Sequence, residues 1–376
     1  MLRVFAQMTQ RIAEVRFVRI NNQARQCGFI SAQSHARVAA MFTVFDQRQL
    51  AHAPFREMHN GGWTDHQETP ARAQSIVTAV HPGVAARDWG LGPLAAVHDA
   101  DYLAFLRAAH ADWLSAGREG DAIPYVWPVV RRRPLDLTRI DARLGRFSYD
   151  AGTPIAAGSW DAAYWSAQTA LTALDALLAD NLKSVFALCR PPGHHAGRDY
   201  LGGYCYLNNA AIAAREAQRR GAGPVAILDI DYHHGNGTQD IFYEDGDVFF
   251  ASLHADPATD YPFYWGHADE RGAGAGDGTT LNLPLPRGTA LDTYGPALDT
   301  ALAAIADWGA RCLIVSFGAD TYAGDPISHF ALERGDFTEL GRRIAGLGLP
   351  SLIVMEGGYA TDDLGHNVAA FLAGFG

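Results

Sequence analysis

The chain has 376 residues, of which 48% are hydrophobic and 19% are charged, the balance of a globular protein with a sizeable core. Its 39 glycines and 18 prolines follow no repeat, which excludes a collagen-like chain. The net charge of -11 disfavours binding to a nucleic-acid backbone and favours cationic partners.

The beginning of the chain differs from the rest. Residues 1–40 are rich in Gln and Arg and show little periodicity, so we expect an N-terminal extension of uncertain structure that contributes little to function. A single domain is expected over residues 41–376, and residues 42–45 are predicted to form its first strand. A helical pattern then runs through residues 75–80.

Two longer helical patterns follow, at residues 101–110 and 159–179. Between them, residues 112–140 are interpreted as an irregular insertion that carries the aromatic residues Trp113, Tyr125 and Trp127. Because long segments without regular structure in a compact domain are usually functional, we expect the insertion to shape the protein's surface for binding or assembly.

Short apolar runs separated by helical patterns dominate the second half of the chain. They cover residues 184–189, 224–230, 248–253, 311–317 and 351–355. Such runs are typical of strands that are buried on both faces of a parallel sheet. The sequence therefore predicts an α/β fold, a single-domain open parallel sheet with helices on both faces.

The cysteines and the hydropathy bear on the protein's location. The four cysteines, Cys27, Cys189, Cys205 and Cys312, form no C-x-x-C pair, so we expect reduced thiols and a cytoplasmic protein. No apolar run reaches the roughly 18 residues that a membrane span needs, and no membrane partner is expected.

Polar residues follow each apolar run. Asp231 and His233 come after the second run and Asp320 after the fourth. Because the carboxyl ends of parallel strands meet at one edge of a sheet, we expect these side chains to converge. Two carboxylates and one imidazole suit a catalytic Zn²⁺ site with an open position. The alternative is a hydrogen-bonded Asp/His loop without metal.

Two adjacent histidines, His194 and His195, follow a Pro-Pro-Gly turn after the first run. Two imidazoles near a metal can divide proton transfer between them if their far nitrogens are held, and Asp229 and Asn236 are the candidates for this. A carboxylate partner favours a cationic imidazole, and an amide leaves its imidazole with a lower pKa. The alternative is a pair of surface histidines.

A tyrosine, Tyr359, follows Gly357-Gly358 after the last run. A phenol in this position can donate a hydrogen bond to a substrate carbonyl oxygen and then to the oxyanion that develops from it. The alternative is a tyrosine that packs on a turn.

Taken together, five ordered motifs resemble the zinc-dependent histone deacetylase superfamily, which has the arginase/deacetylase fold. They are residues 190–196, 203–209, 229–239, 318–321 and 356–359. Within that superfamily the chain is most similar to bacterial acetylpolyamine amidohydrolases. The resemblance implies an enzyme that removes acetyl groups from N-acetylated amines, giving acetate and free amine.

The resemblance also implies a role for each motif residue. Asp231, His233 and Asp320 match the Zn²⁺ ligands, and Tyr359 matches the residue that polarises the carbonyl. His195 matches the general base and acid, oriented by Asn236. His194 matches the second, electrostatic histidine, oriented by Asp229. A monovalent cation, K⁺ or Na⁺, is implied at Asp229, Asp231, His233, Ser252 and Leu253, with a second site near Phe242 and Val248.

Other positions of the resemblance concern the substrate. Tyr204, Tyr261 and Gly203 match the walls of a narrow tunnel, and Arg72 resembles an arginine that lines an inner acetate channel. The relatives' two glutamates at the tunnel mouth align with Asp141, which keeps the charge, and with Gly152, which loses it; Asp150 lies two residues away and could substitute.

Three functions remain open from the sequence. They are deacetylation of a small cationic substrate such as an acetylpolyamine, deacetylation of acetyl-lysine in proteins or peptides, and a non-catalytic binding module on the same fold. The insertion at residues 112–140 favours the first, because in the relatives such a segment narrows the entrance and forms a homodimer interface.

Overall fold

The computed structural model describes residues 41–128, 135 and 137–376. The described strands are β1 (Phe42–Val44), β2 (Arg56–His59), β3 (Gly62–Asp65), β4 (Ser184–Ala187), β5 (Val225–Asp229), β6 (Val248–Ala255), β7 (Thr280–Leu285), β8 (Cys312–Phe317) and β9 (Ser351–Met355). Seven of them form one parallel sheet in the order β1-β4-β9-β8-β5-β6-β7, and β2 pairs with β3 as an antiparallel hairpin.

Helices cover both faces of the sheet. The described α-helices are α1 (Pro70–Val80), α2 (Gly92–Ala95), α3 (Ala100–Ser115), α4 (Ile140–Arg146), α5 (Ser159–Ala179), α6 (Asn209–Arg219), α7 (Asn236–Phe242), α8 (Leu291–Trp308), α9 (Arg334–Ala345) and α10 (Thr361–Ala373). Short 3-10 helices lie at Gln47–Ala51 and Gly274–Gly276.

The sheet separates two apolar cores. Because side chains alternate along a strand, Ile227 of β5 packs into one core and Leu228 into the other. Helices α3, α5 and α6 contribute to the first core, and α1, α8, α9 and α10 contribute to the second. The predicted α/β architecture with helices on both faces is confirmed.

The predicted strands of the sheet are present, with ends that differ by up to two residues. The hairpin β2–β3 and the edge strand β7 were not predicted, because neither is a continuous apolar run; most of the hairpin is exposed. The insertion is shorter than predicted, since residues 112–115 belong to α3 and residue 140 begins α4. Helix α3 continues until the chain reaches Gly117, which has a φ of 75°.

Residues 1–40, and residues 129–134 and 136 of the insertion, lie outside the described residues, so the proposed extension and domain limits stay predictions. Within the described ranges, no helix has both the length and the apolar character needed to cross a bilayer.

The order of the strands explains the position of the site. The five strands that end in polar motifs, β4, β9, β8, β5 and β6, are consecutive neighbours in the sheet. Because they all run parallel, their carboxyl ends form one continuous edge. The chain order reverses along this edge, and open α/β sheets place their sites at such positions.

Candidate active site

Asp231, His233 and Asp320 meet at this edge. The Nδ1 atom of His233 lies 3.3 Å from Asp231 Oδ1 and 3.2 Å from Asp320 Oδ2. Backbone amides fix the carboxylates, because Tyr232 N–H donates to Asp320 Oδ1 at 3.0 Å and Gly357 N–H donates to Asp231 Oδ2 at 2.8 Å. The predicted metal set is therefore brought together by loops that follow β5, β8 and β9.

This set fits a divalent cation. One ligand atom from each of Asp231, His233 and Asp320 lies within 4.8 Å of the other two, and both carboxylates are buried. Burial and the negative charge of Asp231 raise the pKa of Asp320. A dication bound between the two carboxylates would relieve their mutual repulsion. The backbone also closes tightly around the set, since a Cβ atom on Gly318 would come within 2.1 Å of Asp231 Oδ2.

The two adjacent histidines are buried and have different partners. His194 Nδ1 lies 3.0 Å from Asp229 Oδ2, and His195 Nδ1 lies 2.6 Å from Asn236 Oδ1. An amide oxygen can only accept, so His195 carries its proton on Nδ1 and leaves Nε2 free as a base. The two predicted pairings are therefore present in the structure.

These partners push the pKa values of the two histidines apart. Burial opposes protonation of His194, but the carboxylates of Asp231 and Asp229 outweigh it and raise the pKa of His194 to about 10. Burial and the positive charge of His194 lower the pKa of His195 well below its usual value. A cation bound at Asp231 would weaken the attraction between Asp231 and the protonated His194, and the attraction between Asp229 and His194 would remain.

Glu356 holds the histidine turn in place, a role that the sequence did not reveal. Its Oε2 accepts the N–H groups of Gly193 at 2.6 Å and His194 at 3.2 Å, and its Oε1 accepts the Ser316 hydroxyl at 3.2 Å. One buried carboxylate thus ties together the ends of β4, β8 and β9. Its position directly after an apolar run was the signal that could have identified it.

Tyr359 stands at the same edge and is fixed through its backbone. Its N–H donates to Asp325 Oδ2 at 2.6 Å, and the preceding Gly358 has a φ of 120°, a conformation that favours glycine. Burial raises the pKa of the Tyr359 phenol well above its usual value, so the hydroxyl keeps its proton and acts as a donor.

Arg72 holds the turn that precedes Tyr359 by hydrogen bonds to its backbone. It is buried and donates to the carbonyl oxygens of Gly358 and Glu356, both at 2.6 Å, and to Glu68 Oε1 at 2.7 Å. Its guanidinium also lies 4.8 Å from the Tyr359 ring centroid. That Arg72 lines a channel stays a prediction; the contacts give it a part in positioning Tyr359.

Tyr204, Tyr261 and Gly203 lie beside Tyr359 and His195. The Tyr204 ring lies 5.6 Å from that of Tyr359, and the Tyr261 ring lies 5.2 Å from that of His195. A Cβ atom on Gly203 would come within 2.1 Å of His195 Cδ2, so the backbone here touches the imidazole. The residues predicted as tunnel walls are thus brought to the site.

The predicted mouth residue Asp141 requires a correction. Its side chain is buried, and its oxygens accept from Arg118 at 2.7 Å and from Arg139 at 2.8 Å. Two guanidinium groups therefore compensate its charge, which contradicts the expectation of a free carboxylate for a substrate ammonium. Asp150 is partly buried, and it accepts from the Gly203 N–H at 2.7 Å and from the Tyr261 hydroxyl at 2.8 Å.

The oxygens predicted to bind a monovalent cation lie on neighbouring strands. Asp229 at the end of β5 pairs in register with Ser252 of β6, and Leu253 follows Ser252. Phe242 ends α7, and Val248 begins β6 at the opposite edge of the sheet. The two cation sites stay predictions.

A second group of possible ligands, His52, His66 and Glu68, lies buried beside Arg72. His52 Nε2, His66 Nε2 and Glu68 Oε2 have no hydrogen-bond partner among the described residues. Arg72 and Arg190 already pair with Glu68 Oε1, so a dication would add uncompensated charge. Three converging polar atoms are the usual surroundings of one buried water.

Known proteins are similar to this chain in sequence and in fold. The family profile described as Histone deacetylase domain matches residues 66–375. Acetylpolyamine amidohydrolase 2 from Pseudomonas aeruginosa is 48% identical over 340 residues, which cover 89% of this chain and 98% of the relative. Acetylpolyamine amidohydrolase from Mycoplana ramosa is 47% identical over 339 residues, which cover 89% and 99%. The crystal structure of acetylpolyamine aminohydrolase from Burkholderia pseudomallei matches with a TM-score of 0.85 and 41% identity, covering 89% of this chain and 98% of that one.

Proposed function

The chain is a member of the histone deacetylase family, and from this premise we propose that it is a zinc-dependent hydrolase that removes the acetyl group from N-acetylated polyamines. The products are acetate and the free amine. The observation that carries this function is the buried pair His194–His195, held by a carboxylate and an amide beside the metal set. A base that can return its proton to the leaving nitrogen accelerates amide hydrolysis, and so does a positive charge near the oxyanion that develops.

The substrate class is supported by the relatives and by charge. Two relatives at 47% and 48% identity carry the name acetylpolyamine amidohydrolase. The chain's net charge of -11 favours a cationic substrate. The aromatic rings of Tyr204 and Tyr261 would admit a linear chain between them and exclude branched groups.

Asp231, His233 and Asp320 would hold the Zn²⁺. When bound there, the ion supplies Lewis-acid polarisation of the acetyl carbonyl and makes water more acidic. The two carboxylates balance the double charge of the ion, so the ion's polarising effect is milder than in a site of three neutral histidines. Protein donors and bases around the site are therefore needed.

His195 carries the proton transfers. Its Nε2 accepts a proton from water as the water oxygen bonds to the acetyl carbon, because Nδ1 is committed to Asn236. The C–N bond then breaks, and the same proton passes from Nε2 to the leaving nitrogen. His194, paired with Asp229, keeps its positive charge through both steps and stabilises the negative charge that develops.

Tyr359 completes the site as a hydrogen-bond donor. Its hydroxyl donates to the carbonyl oxygen of the substrate, and the bond strengthens as negative charge grows on that oxygen. The high pKa of the buried phenol keeps the proton on the hydroxyl throughout. The bonds from Asp325 and Arg72 to this turn fix the direction of the side chain.

Three further features belong to the proposal. A K⁺ or Na⁺ ion beside Asp229 and Ser252 would offset the negative charge of the Asp229 carboxylate and accept the neutral oxygens of Ser252 as ligands. A homodimer through the insertion is supported by the exposed side chains of Tyr125, Val126 and Leu135. A cytoplasmic location is supported by Cys189, Cys205 and Cys312, which are buried free thiols.

The test of the function compares substrates on the Zn²⁺-loaded protein. Acetylputrescine, acetylcadaverine, acetylspermidine and an acetyl-lysine peptide are assayed side by side for released acetate. We expect the highest kcat/KM with an acetylated polyamine. A peptide hydrolysed at least ten times more efficiently than every polyamine would overturn the substrate class and leave the deacetylase chemistry intact.

A further inference from the structure

Both aromatic walls of the site are hydrogen-bonded to carboxylates, of which Glu57 is buried and Asp150 is partly buried. The Tyr204 hydroxyl donates to Glu57 Oε1 at 2.8 Å, and the Tyr261 hydroxyl donates to Asp150 Oδ2 at 2.8 Å. Glu57 belongs to the hairpin strand β2, and Asp150 lies in the loop between α4 and α5. The two acids therefore belong to different elements of the fold, and each is bonded to a different wall tyrosine.

Neither acid has an arginine partner within the described ranges. The second oxygen of Glu57 lies 2.8 Å from His66 Nδ1. Asp150 also accepts from the N–H groups of Gly203 at 2.7 Å and Gly152 at 3.1 Å, and the Thr153 side chain is a further hydrogen-bond partner. Asp141 makes the contrast clear, because two guanidinium groups compensate its buried carboxylate.

A carboxylate behind a phenol makes the wall attractive to cations in two ways. A phenol that donates to a carboxylate gains electron density, and the face of its ring then binds a cation more strongly. The negative charge, which no described arginine pairs with, also acts directly on a cation at the walls, and its effect is large where little water separates the charges. Both effects act on any cation between Tyr204 and Tyr261.

We infer that Glu57 and Asp150 determine substrate specificity by acting through Tyr204 and Tyr261, so that the tunnel selects acetylated amines with a second, positively charged nitrogen over neutral acetamides of the same length. This inference rests on the proposed function. The two residues that align with the mouth glutamates cannot provide this selectivity for cations, because arginine compensates the charge of Asp141 and position 152 is glycine. The selectivity therefore comes from the walls.

The experiment compares two substrates that differ in charge and match in length. N-acetylcadaverine carries a terminal ammonium group, and N-hexylacetamide has a methyl group in its place. The ratio of their kcat/KM values is measured for the wild type, Glu57→Gln and Asp150→Asn. Both replacements keep an oxygen that can accept the tyrosine hydroxyl, so they remove charge with little change of shape.

We expect each variant to lower the ratio by about three- to tenfold, chiefly through the KM of the cationic substrate, with kcat for N-hexylacetamide close to that of the wild type. Asp141→Asn is the matched control, because the described bonds of this carboxylate go to Arg118 and Arg139 rather than to a wall tyrosine, and its ratio should equal that of the wild type. Circular dichroism and the melting temperature check that each variant is folded.

Other results overturn the inference. Equal losses on both substrates in the two variants would make Glu57 and Asp150 purely structural. A wild-type ratio of one or less would refute the inference without any variant, which keeps the test decisive if Asp150→Asn does not fold. A wild type that hydrolyses neither acetamide, nor any acetylated polyamine, would instead refute the proposed function.

Discussion

The backbone N–H of Tyr359 donates to Asp325 Oδ2 at 2.6 Å, which ties the turn after β9 to the loop that follows β8. The same carboxylate oxygen accepts from Ala360 N–H at 3.2 Å. Backbone hydrogen bonds, rather than bonds of the hydroxyl, therefore fix the position of the Tyr359 side chain. The hydroxyl is left free to act on a substrate, and its removal should affect chemistry more than structure.

Tyr359→Phe should lower kcat by on the order of 10²–10³-fold, the usual cost of losing one oxyanion donor. The KM should change little, because the bond is strongest in the transition state. Steady-state kinetics with acetylcadaverine measure both values, with Tyr322→Phe, a tyrosine that packs against the second core, as control. A rate near that of the wild type would exclude Tyr359 from the mechanism.

The two histidines should differ in importance. His195→Ala removes the base whose Nε2 is free, and we expect a loss of on the order of 10²–10⁴-fold in kcat/KM. His194→Ala removes a positive charge that only assists, so its loss should be smaller. The comparison is made at saturating Zn²⁺ and with the metal content of both variants measured. A larger loss for His194→Ala would exchange the two assigned roles.

Metal removal provides a separate prediction. Chelation should abolish activity, and Zn²⁺ or another divalent ion should restore it, because the carboxylate charges of Asp231 and Asp320 converge with His233 as the ligands of such an ion. Asp320→Asn removes one of these charges and should weaken metal binding, as measured by metal content after dialysis. Asp292→Asn, on the exposed start of α8, serves as control. Full activity in a sample verified to be metal-free would contradict the metal assignment.

Much of the architecture could be predicted because its signals are local. Six of the seven strands of the sheet are short apolar runs, and parallel pairing requires their carboxyl ends to share one edge. Once the order of the strands is known, the meeting of Asp231 with Asp320 needs no further information. The hairpin β2–β3 gave no such signal, because its residues are mostly exposed and carry no apolar alternation.

The remaining features depend on contacts between distant residues. Tyr204 meets Glu57 across 147 residues, and Asp141 meets Arg118 across 23. Neither pair shares a motif or a spacing, so a sequence cannot indicate which carboxylate is compensated and which is not. For this reason the charge of Asp141 was assigned to the substrate, whereas the structure assigns it to two arginines.

The last prediction concerns stability and pH, and it uses a histidine remote from the metal set. His98 is buried, its Nδ1 donates to Gly197 O at 2.9 Å, and its Nε2 accepts Asn208 N–H at 3.0 Å. Both ring nitrogens have hydrogen-bond partners when the ring is neutral. A second proton, on Nε2, would face the Asn208 N–H and break that hydrogen bond. Burial accordingly lowers the pKa of His98 to about 4 from an ordinary value of 6.5.

The unfolded chain therefore binds a proton at His98 between pH 6.5 and 4, and the folded chain does not. The contribution of this group to stability is complete above pH 6.5 and is lost as the pH falls towards 4, by about 2 kcal/mol at pH 5. His98→Gln removes the titration. The free energy of unfolding, measured with urea at pH 7.5 and pH 5, should fall by about 2 kcal/mol less in the variant than in the wild type. The other buried histidines titrate in both proteins and cancel in this difference, so an identical fall in both would show that His98 is not held neutral in the folded protein.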